Sequence, residues 1–231
     1  TAELTAELTA ELTARKQQYN YYSEQLLSFG EEEVEWKTLG EVAIKISSGG
    51  TPRTGVSKYY NGNIPWLRTQ EVDFVDIWDT GVKITELGLQ NSSAKMIPAN
   101  CVIVAMYGAT VGKIGINKIP LCTNQACANI QLDEKIANYR YVFHYLKSKY
   151  EHIKSLGSGS QTNINANIVK NYKIPVPSLE DQARIVSILD KFDTLTTSIS
   201  EGLPKEIGLR QKQYEYYRDM LLTFPKDNIE A

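Results

Sequence analysis

The chain has little of what most enzymes and membrane proteins need. No apolar run approaches the ~20 residues required to span a bilayer, and the longest, Cys101 to Tyr107, is strand-sized. Cysteine is scarce. Cys101, Cys122 and Cys127 are odd in number and lack framework spacing, which excludes a disulfide scaffold and points to a reducing, cytoplasmic setting. With no close partner ligands, they are expected to be buried free thiols rather than a metal site. Histidine is scarcer still. His144 and His152 stand eight residues apart with no carboxylate at metal-ligand spacing. No Ser/His/Asp or Cys/His set is visible, so neither a catalytic centre nor a metal or other cofactor is expected. The net charge of −2 supplies no overall basic field. No signal peptide precedes the first element. The sequence opens at Thr1 inside a repeat and reads as a piece of a longer polypeptide.

What is present is repetition. Thr-Ala-Glu-Leu occurs three times, ending at Leu4, Leu8 and Leu12, and Thr13-Ala14 begins a fourth copy. Ala, Glu and Leu favour helix. Four residues turn a helix by about 400° and lengthen it by about 6 Å, so the leucine stripe drifts about 40° per copy. Tyr19, Tyr22, Leu26 and Phe29 then follow at steps of three or four, as in a heptad seam, and Gly30 is expected to end the helix. A second similarity spans the chain. Arg15 to Phe29 and Arg210 to Phe224 are identical at eight of fifteen positions without a gap, including three tyrosines and the terminal Phe. Two such arms around a globular segment imply a duplicated unit of helix plus domain. The arm tyrosines are expected to pack helix against helix.

Between the arms the pattern is mixed. Glu41 to Ile46, Cys101 to Tyr107, Lys113 to Ile116 and Ala128 to Leu132 read as strands, and Asn138 to Ser155 as a helix. Ser47 to Thr54, Tyr60 to Ile64, Tyr107 to Gly112 and Gly157 to Asn167 read as loops. Ile174-Pro-Val-Pro177 is an extended exit. Ser178 is expected to cap the next helix with Asp181 at the capping-box position, and Pro204 to open the last one. The expected class is α+β. A mixed globular domain over 30–177 lies between helical segments at 1–29 and 178–231.

The chemistry of the loops suits nucleic acid. Gly108-Ala-Thr-Val-Gly112-Lys113 is one residue short of a phosphate loop and has Ile114 where a Ser or Thr would hold magnesium, so it reads as a tight turn able to touch a phosphate. Nor is there an adenosylmethionine-type glycine loop or an Asn-Pro-Pro-aromatic sequence of adenine methylation. Base reading needs Arg, Lys, Asn, Gln, Ser or Thr on groove-entering loops. Ser48, Gly49, Gly50, Thr51 and Arg53 form one such loop, and Arg68, Thr69 and Gln70 a second. Asn124 and Gln125 form a third, Gln161 and Asn163 a fourth. Lys58 and Lys113 are candidate phosphate contacts. Lys135 to Lys173 holds seven Lys or Arg residues and one acid, Glu151.

These stretches resemble half of the DNA-specificity subunit of a type I restriction–modification system. The resemblance rests on Ser48-Gly-Gly-Thr-Pro52, Ile64-Pro-Trp-Leu-Arg68, Gly108 to Lys113, Thr123-Asn-Gln-Ala126, Gly159-Ser-Gln-Thr-Asn-Ile164 and Ile174 to Ala183, and covers nearly the whole chain. It implies a non-catalytic subunit. It further implies two target-recognition domains that each read one half of a split double-stranded DNA site, separated by conserved helices that form an antiparallel coiled coil. Methyltransferase (modification) subunits and restriction/motor subunits dock on the assembly. Here one recognition domain is present, so the half-subunit is expected to form a homodimer, with the repeats setting the half-site spacing. The rival expectation is a coiled-coil adaptor whose globular domain binds protein.

Overall fold

The computed structural model describes residues 2–157, 163–197 and 202–222. In chain order the elements are α1 (Ala2–Leu26), β1 (Glu35–Thr38), α2 (Leu39–Val42), β2 (Ala43–Ser48), β3 (Tyr60–Leu67), β4 (Asp76–Ile77), β5 (Lys83–Ile84), α3 (Glu86–Gln90), β6 (Val102–Ala105), β7 (Ile114–Asn117), β8 (Cys122–Thr123), β9 (Cys127–Leu132), α4 (Tyr139–Ser148), α5 (Tyr150–Ser155), α6 (Ala166–Asn171), β10 (Lys173–Val176), α7 (Leu179–Thr197) and α8 (Leu203–Leu222). The class is α+β. The residues fall into two compact units, one of 27–186 and one of 1–26 with 187–231.

The first unit is built on a five-stranded sheet of order β2-β9-β6-β7-β4. All its pairs are antiparallel except β4 with β7. Strand β6 is buried along its whole length, as its uninterrupted apolar run requires. Helix α4 buries Tyr141, Val142, Phe143, Tyr145 and Leu146. A three-stranded sheet, β5-β3-β8, pairs β3 with β8 in parallel, and β1 pairs with β10. A core of Leu67, Val72, Ile77, Ile103 and Leu121 underlies these layers.

Local signals fix the joints. Ser178 accepts from the Asp181 amide at 3.1 Å and donates to its carboxylate at 2.8 Å, as the capping box predicts. One turn on, buried Gln182 accepts from Asn138 N–H at 2.7 Å and donates to the Ile136 and Pro177 carbonyls. Asn138 in turn caps α4. The start of α7 is thereby tied to the start of α4.

Four expectations are corrected. Glu41 is not in a strand: it bonds back to Thr38 and closes the short helix α2, so β2 begins at Ala43. The segment 60–64 is not a loop but the first half of β3, bulged at Asn61 (φ 60°) and paired with β5. The helix from Asn138 breaks at Lys149, where the Ser148 hydroxyl takes the Tyr145 carbonyl. Helix α1 stops at Leu26, before Gly30, which instead opens a turn closed by Glu33.

The second unit is helical. Within it α1 lies beside α8, and Tyr22 stacks on Phe192 of α7 with ring centroids 5.5 Å apart. Leu8 and Leu189 are buried. Tyr19 is half-buried, while Tyr21, Tyr214, Tyr216 and Tyr217 are exposed in the single chain. Phe224, the last residue of the duplicated segment, lies outside the described residues.

Candidate nucleic-acid interface

Most of the predicted loops meet, and main-chain carbonyls hold them together. Gly50 N–H donates to the Thr123 carbonyl at 2.9 Å. The Trp66 indole donates to the Gly50 carbonyl at 2.9 Å, and the Tyr60 hydroxyl to the Pro52 carbonyl at 2.7 Å. The Thr51 hydroxyl bonds the Gln125 side chain. Asn124 N–H donates to the Leu67 carbonyl at 2.9 Å, and the Thr110 hydroxyl to the Thr69 carbonyl at 2.7 Å. Met106 N–H reaches the Ala126 carbonyl, and Ile164 N–H the Met106 carbonyl. The loops around residues 48–53, 66–70, 107–113, 123–126 and 163–164 are thus one connected cluster.

The glycine pair is explained by protein contacts. A Cβ on Gly49 would lie 2.0 Å from the Thr123 carbonyl oxygen, and one on Gly50 2.3–2.4 Å from Ser93 and Ala94. The backbone is therefore pressed between two neighbours, and Ser48 is left exposed at the end of β2. Arg53 follows the pinned segment and is exposed, with no ion pair among the described residues. Its neighbour Gly55 (φ 84°) completes the loop in a backbone conformation that suits glycine.

Arg68 and Lys113 are differently placed. Arg68 Nε lies 3.5 Å from Glu71, and Glu71 is anchored in turn by Gly81 N–H at 2.7 Å. The terminal nitrogens of the Arg68 guanidinium take no hydrogen-bond or ion-pair partner among the described residues. Lys113 Nζ is held at 2.6 Å by Asp73. Thr69 is half-buried and Gln70 exposed beside it. The Asn124 side chain is turned inward, accepting from Ala126 N–H and the Cys127 thiol. Asn163 Oδ1 is buried without a hydrogen-bond partner among the described residues. Gln161 lies outside the described residues. Lys58 stands apart from the cluster, on a short turn whose carbonyl bonds Thr85 near α3.

Sequence reasoning missed several supports. Trp66 sits inside the Ile64 to Arg68 motif and Tyr60 in an expected loop, but their roles as pins have no sequence signal. Ser93, Asp73 and Glu71 have none either. Lys154 of α5 was only part of a basic count, yet its Cα and Cβ would be in ordinary van der Waals contact, 3.4–3.5 Å, with a Cβ at Gly112.

The remaining polar groups are structural. Cys101, Cys122 and Cys127 are buried and free. Burial pushes the thiols of Cys101 and Cys127 up to about 12, with Glu71 adding to the second, and burial followed by Glu86 takes Cys122 to about 11. His152 Nδ1 is 3.1 Å from the Tyr172 hydroxyl, which burial holds far above the phenol range and hence protonated. Among the described residues no three His, Cys, Asp or Glu side chains are grouped to hold a metal, and no helix is long and apolar enough to cross a membrane.

A family profile, the type I restriction modification DNA specificity domain, matches residues 31–209. The chain is 47% identical over 234 aligned positions to the specificity subunit of the type I restriction enzyme EcoR124I/EcoR124II of Escherichia coli, covering 98% of this chain and 56% of that protein. It is 33% identical to the EcoprrI specificity subunit of the same organism, over 86% of this chain and 52% of that one. The fold is similar to a crystal structure of the HsdS subunit of Thermoanaerobacter tengcongensis (TM-score 0.66, 18% identity), covering 93% of this chain and 53% of that one. The chain therefore spans about half the length of the curated relatives it matches. With the profile covering most of its length, the chain belongs to the family of type I restriction–modification DNA specificity subunits.

Proposed function

We propose that this chain reads one half of a bipartite double-stranded DNA target and directs type I methyltransferase subunits, and through them restriction/motor subunits, to it without catalysing a reaction itself. The observation that carries the reading is the convergence of the five loops on one another. A groove reader needs polar side chains presented from a rigid frame, and here the frame is made largely of hydrogen bonds to main-chain carbonyls. Arg53, Arg68, Thr69 and Gln70 supply base-edge donors and acceptors, with Gln161 and Asn163 as the next candidates. Ser48, Gly49, Gly50, Thr51, Asn124 and Gln125 shape the loops that hold them. Lys58 and the turn carrying Lys113 face phosphates. The recognition domain is residues 30–177, with helical arms at 1–29 and 178–231.

The arms supply spacing and pairing, as an antiparallel coiled coil. Tyr21 and Tyr216 are 60% and 65% exposed, and Leu221 and Leu222 71% and 65%, an unusual load of open apolar side chains for a lone chain. Because the two arms carry the same seam, a second copy's C-terminal arm can take the place that α8 of the same chain holds beside α1, each N-terminal arm lying on the other's C-terminal arm in an isologous homodimer with two identical readers. One Thr-Ala-Glu-Leu unit adds about 40° beyond a full helical turn, close to the roughly 34–36° per base pair of DNA, so each unit changes the tolerated gap by one base pair.

The test uses the full chain with a modification subunit and a library of duplexes. Selection of a symmetric split sequence, whose gap shortens by one base pair when one repeat is deleted, is the expected result. An unchanged gap overturns the spacing role, and a monomeric mass at micromolar concentration overturns the pairing. Absence of any salt-sensitive DNA binding favours the adaptor reading instead.

A further inference from the structure

The turn 108–113 carries the geometry of an anion seat, but the lysine expected to serve it is occupied. Lys113 Nζ lies 2.6 Å from Asp73, and Asp73 is held in place because the next residue, Phe74, pairs its N–H with the Ile114 carbonyl at 2.8 Å. Moving Lys113 to a phosphate would strand a carboxylate beside it. The turn also leaves donors unused. The N–H groups of Val111, Gly112 and Lys113 bond the carbonyls of Gly108, Ala105 and Thr110, whereas those of Ala109 and Thr110 donate to nothing among the described residues. Gly108 (φ 84°) and Gly112 (φ 80°) bracket the turn in the left-handed region, the conformation that contributes one residue to each anion-binding backbone nest.

The helix packed against the turn carries a cation. Helix α5 packs on the turn through Tyr150 and Lys154, each 3.4 Å from where a Gly112 Cβ would be. Phe74 closes the other side of Tyr150, edge to face at 5.2 Å. The Lys154 ammonium lies 5.5 Å over the Tyr150 ring and makes no ion pair among the described residues. The ring braces its aliphatic stem without neutralising its charge.

We infer that the turn 108–113 and Lys154 of α5 together form a DNA-phosphate site, with the Ala109 and Thr110 N–H groups and the Lys154 ammonium as its donors, while Lys113 is a structural partner of Asp73. The inference rests on the DNA reading proposed above and assigns the charge of that site to a residue outside the motif.

The experiment is fluorescence anisotropy of a labelled 30-base-pair duplex with the full chain, between 50 and 200 mM KCl. One phosphate contact contributes about 0.9 to the slope of log K against log salt, or about 3.5-fold in affinity across that range. Lys154→Ala and Lys154→Gln should each lower the slope by about that amount. The glutamine variant keeps the stem on Tyr150, so agreement between the two separates lost charge from misfolding. Lys113→Ala should leave the slope unchanged and lower Tm. An unchanged slope in both Lys154 variants, or a flattened slope in Lys113→Ala, overturns the inference. A wild-type chain with no salt-dependent binding at all overturns instead the DNA reading on which it rests.

Discussion

Replacing Trp66 with Phe removes one hydrogen bond and keeps an aromatic ring in place. The indole N–H donates to the Gly50 carbonyl at 2.9 Å, and both residues are buried. In Trp66→Phe that carbonyl loses its donor where water does not readily reach, which costs about 1–3 kcal/mol. The smaller ring also loosens the contact with Tyr60, whose centroid lies 6.2 Å away. For a chain of this size, about 2–4 °C of Tm accompanies each kcal/mol, so a fall of about 2–12 °C is expected. Trp78→Phe is the control: that side chain is 66% exposed, and its loss should move Tm by about a degree at most. The second readout is DNA binding. Releasing Gly50 loosens the loop that presents Arg53, so discrimination between duplexes should fall. The salt slope should stay the same, because no cation has been removed. Melting and anisotropy on the same samples test both parts. An unchanged Tm would show that the carbonyl finds another donor. A changed slope would show that the substitution acts through charge, and the reasoning would fail.

The glycines give a paired prediction. Gly49→Ala places a Cβ 2.0 Å from a carbonyl oxygen and should cost about 1–3 kcal/mol or more in urea melts. Gly208→Ala, in the exposed course of α8 with nothing within 4 Å of the added carbon, should instead stabilise by up to about 1 kcal/mol. The three thiols are held protonated by burial, so iodoacetamide at pH 8 should label none of them in the native chain and all three in urea; rapid native labelling would contradict their placement. Ser178→Ala should cost about 1 kcal/mol through the lost cap. Asp181 is held below the usual carboxylate range by its bond to Ser178 and then by Arg184. Its contribution is therefore full above about pH 4 and is lost as pH falls through its lower folded value, a dependence that Ser178→Ala should weaken in acid melts.

The parts of the fold that were legible in sequence are those decided within a few residues. Ser178 and Asp181 announce the start of α7 because a cap is a contact over three positions. Val102 to Ala105 announces a buried strand because its apolar run admits no exposed face. Tyr60 to Ile64 reads as a loop on its Gly and Asn residues, but pairing with Lys83 and Ile84, about twenty residues away, overrides that local preference. Glu41 was legible in principle, since Thr38 three residues earlier completes a capping box, but β-branched neighbours pointed to a strand. The same division runs through the site. The motifs around Gly50, Arg68, Gly112 and Asn124 were visible as composition. The Ser93 wall against Gly50, the Asp73 partner of Lys113 and the approach of α5 to Gly112 join residues about forty apart, and no local pattern encodes them.

Pinning the recognition loops through the carbonyls of Gly50, Pro52, Leu67, Thr69, Met106 and Thr123 has an evolutionary consequence. Every residue type carries the same carbonyl, so these accepting positions constrain the frame far more than they constrain the alphabet displayed on it. Side chains that look outward, such as Arg53 and Gln70, can be exchanged without disturbing a bond that holds the loops in register. A lineage under pressure to recognise a new target can rewrite its outer letters while the page beneath them stays the same.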